Sequence, residues 1–268
     1  MKSSTRPWIG WVALVVGIGA VVASIAVTST RAGEGLTFGF AAFMAFFALL
    51  SLLARNRTPT HWGLFVAGLS MFLLPWLGDG FTPDRGAAWT AWVAGFLAMA
   101  LGAVGWLGGR PPTVYGINEN ASRDTKPSAT AGRINWAALV VGVATVVVAA
   151  AVVHSSSVAI AITVGLGVLT AVIAVWSLLA ADPTRDFLTL ATVGFALFLA
   201  PWVAGFFGGA AWTAWIAGGI VTALGVTGYL RGEALDFAGT VRQNADARYR
   251  ERFRRHETPR GRPATTSS

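Results

Sequence analysis

The chain of 268 residues has no cysteine, which excludes disulfides, thiolate nucleophiles and Cys-ligated metals and leaves the redox environment open. Charge is scarce: 12% of residues are Asp, Glu, Lys or Arg, against 54% hydrophobic, with a mean hydropathy of +0.61. A soluble domain carries about 25% charged residues, so this balance points to a polytopic membrane protein. Histidine is limited to His61, His154 and His256. The first two fall at helix ends and the third in a polar tail, without metal-ligand spacing, so they read as interfacial or solvated groups. No nucleophile elbow, phosphate loop or zinc pattern occurs. The expectation is a chain that is not an enzyme, with no catalytic residue, no metal and no cofactor.

What the chain has is long apolar runs. Eight approach the roughly 20 residues needed to cross the hydrocarbon: near 8–28, 36–54, 62–78, 87–108, 134–153, 157–180, 186–205 and 209–230. Backbone groups in lipid must bond internally, and the runs lack the alternation of a barrel strand, so each is expected to be a helix. The first run follows Lys2 and Arg6 as a signal peptide would, but its apolar core is too long for one and it has an internal copy, so it reads as a mature helix.

The runs repeat. Trp11-Val-Ala-Leu-Val-Val-Gly17 returns as Trp136-Ala-Ala-Leu-Val-Val-Gly142, and Ser51-Leu-Leu-Ala54 returns as Ser177-Leu-Leu-Ala180. Pro75-Trp76 leads to Gly86-Ala-Ala-Trp89-Thr-Ala-Trp92, and Pro201-Trp202 leads to the identical Gly209-Ala-Ala-Trp212-Thr-Ala-Trp215. The offsets are 125, 126 and 123 residues. These matches touch four helices in each half, as in a tandem duplication. An even number of helices gives both units one orientation, related by an axis along the membrane normal.

Lys and Arg set the side. With the N-terminus inside, ten lie in inner segments before the tail, and only Arg31 and Arg85 lie outside. The tryptophans gather at the two interfaces of this map. The fold class expected is an all-α membrane protein of eight transmembrane helices, a parallel tandem repeat of two four-helix units with N- and C-termini cytoplasmic. Residues 1–109 are the first repeat, 110–133 a cytoplasmic linker, 134–231 the second repeat and 232–268 a basic cytoplasmic tail. The sequons at Asn56 and Asn120 fall on the inner side and read as chance matches.

Few residues suggest chemistry. The spans carry no acid or base at mid-depth, where a proton or substrate path would be marked. Asp79 and Asp84 in the first outer loop, next to Arg85, read as a solvated turn, and the second unit lacks both acids. Small residues four apart, as in Ala94-xxx-Ala98-xxx-Gly102, Gly19-xxx-Ala23, Gly167-xxx-Ala171 and Gly219-xxx-Ala223, read as helix packing. Pro75 and Pro201 cannot donate to the carbonyls of Met71 and Leu197, so each helix should kink or end there. The following tryptophans then close a helix hairpin with an aromatic cluster; the functional alternative is a groove for lipid or a partner helix. In the tail, Arg242, Arg248, Arg250, Arg252, Arg254 and Arg255 are candidate contacts for anionic lipid on a basic helix, or part of a solvated tail.

At Pro75, Trp76, Trp89 and Trp92, and again at Pro201, Trp202, Trp212 and Trp215, the chain resembles the SPW-repeat family of prokaryotic membrane proteins. Leu74 and Ala200 stand in place of the family serine, and Thr90 and Thr213 stand where asparagine is expected. The resemblance covers roughly residues 60–108 and 184–230. It implies a multi-pass protein of the bacterial cell (plasma) membrane and carries over no active site. The function expected is a membrane scaffold or interaction protein, with a transporter or channel for a small or lipophilic solute as the alternative. Its expected partners are the lipid bilayer, anionic lipids through the tail, and other membrane proteins or itself; nucleic acid is not expected, since the arginines come with no recognition motif.

Overall fold

In the computed structural model, residues 7–28, 30–77, 81, 84–108, 129–151, 156–180 and 184–257 are described, with side chains to Leu235 and at Ala238. The described residues form eight α-helices: α1 Pro7–Val27, α2 Arg31–Leu53, α3 Thr58–Leu77, α4 Arg85–Gly108, α5 Ala129–Ala151, α6 Ser157–Leu179, α7 Thr184–Ala204 and α8 Gly209–Glu257. All eight contain a stretch long and apolar enough to cross a membrane; in α8 it is Gly209–Leu235. The most extensive packing joins α3 with α4, α7 with α8, α1 with α2 and α5 with α6. Further contacts of α2 with α3 and α1 with α4, and of α6 with α7 and α5 with α8, complete two groups of four.

The helices start and stop where local chemistry requires. Thr30 accepts from the Gly33 N–H at 3.0 Å at the start of α2, and Ser156 accepts from the Ala159 N–H at 3.3 Å at the start of α6. These two caps are 126 residues apart, as are the helix starts at Thr58 and Thr184. Pro75 and Pro201 lie in the last turns of α3 and α7, whose helices end at Leu77 and Ala204. The second turn closes through Gly205 and Gly208, with φ of 67° and 77°, and the Phe206 N–H donates to the Pro201 carbonyl at 3.1 Å.

Small residues let the backbones meet. A Cβ on Gly17 would lie 2.6 Å from the Ala45 nitrogen, and one on Gly142 would lie 2.9 Å from the Ala171 nitrogen. Gly68 and Gly95 hold α3 against α4, and Gly194 and Gly218 hold α7 against α8 in the same way. Every glycine in these pairs has its partner at one of the sequence offsets. The first core packs Ala13, Met44, Leu64, Met71, Ala91 and Ala98 between α1, α2, α3 and α4. Buried threonine hydroxyls turn to their own helices: Thr37 to Gly33 at 2.5 Å, Thr163 to Ala159 at 2.8 Å and Thr170 to Leu166 at 2.8 Å. Their polarity is thus neutralised locally.

The two groups meet along α2 and α7. Gly35 and Gly39 sit on Val203, Phe46 stacks on Phe195 with centroids 4.5 Å apart, and Phe43 meets Phe195 edge-on at 5.2 Å. One element runs past its expected end: α8 continues as an unbroken helix to Glu257 instead of stopping near 230. Arg231 marks where apolar side chains give way to polar ones, but Pro259 is the first residue beyond it that cannot continue the backbone hydrogen bonding.

Candidate functional site

The two Pro-Trp segments build the same aromatic cluster. In the first, the rings of Trp76 and Trp92 lie 5.5 Å apart and tilted, and Trp89 meets Trp92 edge-on at 5.6 Å. In the second, Trp202 and Trp215 lie 5.0 Å apart and Trp212 meets Trp215 edge-on at 5.3 Å. Trp89 and Trp92, three residues apart on α4, bracket the hairpin tip; Trp212 and Trp215 do so on α8. Trp92 and Trp215 are half-buried, while the other ten tryptophans are exposed to the surroundings of the bundle. The indole N–H groups of Trp92 and Trp215 are both buried without a hydrogen-bond partner. The clusters differ in what covers them: Trp202 contacts Phe38 of α2 at 6.3 Å, whereas Trp76 is 60% exposed.

Beside the first cluster lies a cleft of about 370 Å³ lined by Pro75, Phe81, Arg85, Ala88, Trp89 and Trp92. Arg85 brings a cation to an otherwise aromatic and apolar wall. The position aligned with it in the second half is Gly208. A shallower apolar cleft of about 450 Å³ runs along one face of α5 at Leu139, Val143 and Val147.

Asp84 is not in a solvated turn. It is fully buried, and its Oδ1 accepts from the Ala87 N–H at 2.9 Å, capping α4. Its Oδ2 accepts from the Thr30 N–H at 2.9 Å and the Thr30 hydroxyl at 3.0 Å, tying α4 to the turn before α2. The cap pattern, an Asp before an Ala-rich helix, was visible in the sequence; the distant Thr30 partner was not. Asp79 and His154 lie outside the described residues, as do residues 110–128 of the linker with Asn120, whereas residues 129–133 open α5.

The opposite end of the bundle holds polar groups that sequence reasoning missed. Glu233 of α8 is 8% exposed, and its Oε2 accepts from the Arg55 N–H at 2.9 Å in the α2–α3 turn. Tyr229, one turn earlier, is also buried and donates to the Asn56 carbonyl at 3.4 Å. Ala54 of the same turn packs into the core of the second group with Phe187 and Tyr229. Residue 233 thus belongs to the bundle and not to a free tail. His61 is not at a wet interface either: it is 5% exposed, lies against Gly105, and its Nε2 has no hydrogen-bond partner. An Nη of Arg57 and the Oε1 of Glu233 are likewise buried without a hydrogen bond. The signal for this joint was the single acid placed two residues beyond Arg231, which reads as tail composition until a partner is known.

Among the described residues, no three His, Asp or Glu side chains converge as metal ligands. Arg242, Arg248, Arg250, Arg252, Arg254 and Arg255 lie on the α8 backbone, with their side chains outside the described residues.

Eight helices able to cross a membrane, packed through small residues and bounded by exposed tryptophans, define a multi-pass membrane protein. Residues 7–105 match the family model of the SPW repeat domain, which agrees with the resemblance carried by the first Pro-Trp segment; the second segment lies outside the matched residues. The match spans α1 to within three residues of the end of α4, so it takes in the four-helix group and not only the Pro-Trp hairpin. No curated protein and no solved structure matches the chain.

Proposed function

We propose that the chain is a tandem duplication of a four-helix unit, with both units in one orientation and both termini in the cytoplasm of a bacterial cell. Its units are residues 1–109 and 134–231, its linker 110–133 and its tail 232–268, the start of which packs on the bundle through Glu233. The recurrence of the caps, the backbone contacts and the tryptophan clusters at the sequence offsets supports the duplication. The Lys and Arg asymmetry supports the orientation. Reporter fusions at Gly80 and Ser155 are expected to signal from outside the cell; a cytoplasmic signal from either refutes this topology.

The function favoured is a non-enzymatic membrane scaffold or interaction protein, with the helical tail binding anionic lipids or other membrane proteins. The observation that carries it is the packed first core, where Met44, Leu64 and Met71 are fully buried at mid-helix. The inward threonines of the bundle bond to their own backbones and leave their hydroxyls committed. Transport of a small or lipophilic solute is the second reading, favoured by the buried unpartnered groups of Arg57, His61 and Glu233. The test is purification of the full chain in native lipid discs, with and without residues 236–268, a cut that leaves Tyr229 and Glu233 in place. Retention of anionic lipid or a membrane protein that depends on the tail supports the scaffold. Solute flux in liposomes with nothing retained beyond bulk lipid overturns it.

A further inference from the structure

The contact between the two halves is made by unlike faces. On α2 it uses Gly35, Gly39, Phe43 and Phe46; on α7 it uses Phe195 and Val203. If the halves are copies, each carries both faces, because α6 is the copy of α2 and α3 is the copy of α7. The chain uses only one of each. A two-fold relation would have paired α3 with α6 as α2 pairs with α7, and these helices form no comparable packing. The contact is therefore head-to-tail, and such a contact propagates until it closes a ring or forms an open array.

The two unused faces keep the features of the used ones. At the offset of 126 residues, Gly35 and Gly39 become Ala161 and Gly165, so the pair of small residues four apart is preserved. Val203, which sits on Gly39, becomes Leu77. The aromatic contacts become aliphatic on both sides, Phe43 to Leu169, Phe46 to Val172 and Phe195 to Leu69. Gly165 has no atom within 4 Å of where its Cβ would stand, and Leu77 is 78% exposed. An exposed apolar helix is ordinary in lipid. These two faces are singled out because their counterparts already mate once inside the same chain. A bilayer also presents neighbouring copies in one orientation, so the relation between the halves is open to two chains.

We infer that α6 of one chain docks on α3 of a second copy, repeating the α2–α7 contact and seating Leu77 of one copy on Gly165 of the next. This rests on the duplication proposed above and goes beyond the scaffold reading by naming the faces and the order of assembly. One copy offers α6 and the other α3, so every chain has a free face at each side until a ring closes.

The natural chain has no cysteine, so introduced pairs report single contacts. The full-length protein, in vesicles of phosphatidylethanolamine and phosphatidylglycerol, would be oxidised with copper phenanthroline. Gly39→Cys with Val203→Cys is the control, expected to bridge within one chain. Leu77→Cys with Gly165→Cys in one chain is expected to give a ladder of dimers and higher species, and neither single variant is expected to crosslink. An empty ladder with a bridged control overturns the proposal and leaves the duplication standing. Failure of the control overturns the contact from which both are read. Dimers from Gly165→Cys alone reveal a two-fold contact and also overturn the head-to-tail order. A second measurement uses Gly165→Trp, which has open space to fold into. Counting copies by photobleaching should give several per wild-type particle and one for the variant; an unchanged count overturns the proposal.

Discussion

Asp84 holds together two chain segments that are distant in sequence: the start of α4 and Thr30, which ends the turn after α1 and caps α2. Asp84→Ala removes a helix cap worth about 1 kcal/mol. It also removes the carboxylate oxygen that accepts from the Thr30 N–H and hydroxyl, which adds about 1–3 kcal/mol. A loss of about 2–4 kcal/mol is expected, read as a lower midpoint in detergent unfolding. A midpoint equal to wild type would show that the three hydrogen bonds contribute nothing. His61 predicts the opposite sign. It rests on Gly105 as Phe187 rests on Gly228, and its Nε2 is buried without a hydrogen bond. His61→Phe copies the other half and removes an unpaired polar atom, so stability should stay within about 1 kcal/mol of wild type or rise. A large loss would reveal that the imidazole has a partner or a role that Phe187 does not.

At the scale of the helix, the small-residue pattern was legible but its register was not. Ala94, Ala98 and Gly102 pack inward, and Gly167 and Ala171 meet α5 through Gly142. Gly19, by contrast, faces open space. In α8 the residue that meets α7 is Gly218, against the Phe198 nitrogen, and not its neighbour Gly219, whose nearest atom is Phe198 Cδ2 at 3.8 Å. A run such as Ala217-Gly218-Gly219 has small residues on several faces of the helix, so spacing alone leaves the buried face undetermined. Gly218→Ala should cost about 1–3 kcal/mol by pushing backbones apart. Gly219→Ala should be neutral or stabilise by up to about 1 kcal/mol, since alanine is the better helix former. Unfolding midpoints of the two single variants check this, and equal effects would contradict the register. Helix existence was legible from apolar run length because lipid leaves the backbone no other partner. The end of α8 was not, because a helix leaving the membrane can continue for as long as no residue interrupts its hydrogen bonding.

For the whole molecule, the offsets in the sequence showed that the halves correspond but not how they touch. Several of the joining residues break the correspondence. Glu233 and Tyr229 align with Arg110 and Trp106, and Phe195 aligns with Leu69, so no repeat pattern marks them. They supply the Arg55 and Asn56 hydrogen bonds at one end and the aromatic contact with α2 midway. This seam is much less extensive than the pairing of α3 with α4 or α7 with α8, so it should be the first part of the bundle to open. Glu233→Ala removes the carboxylate that accepts from the Arg55 N–H, at a cost of about 1–3 kcal/mol. Gly39→Leu drives a side chain into Val203, at a further cost of about 1–3 kcal/mol. Neither change touches the packing inside a half. The double variant should therefore convert one cooperative unfolding transition into two, because independent halves no longer melt together. Tryptophan fluorescence and proteolysis of the linker, followed through the same denaturant series, would coincide in wild type and separate in the variant. Coincident curves in the double variant would mean that the halves are coupled by something other than this seam.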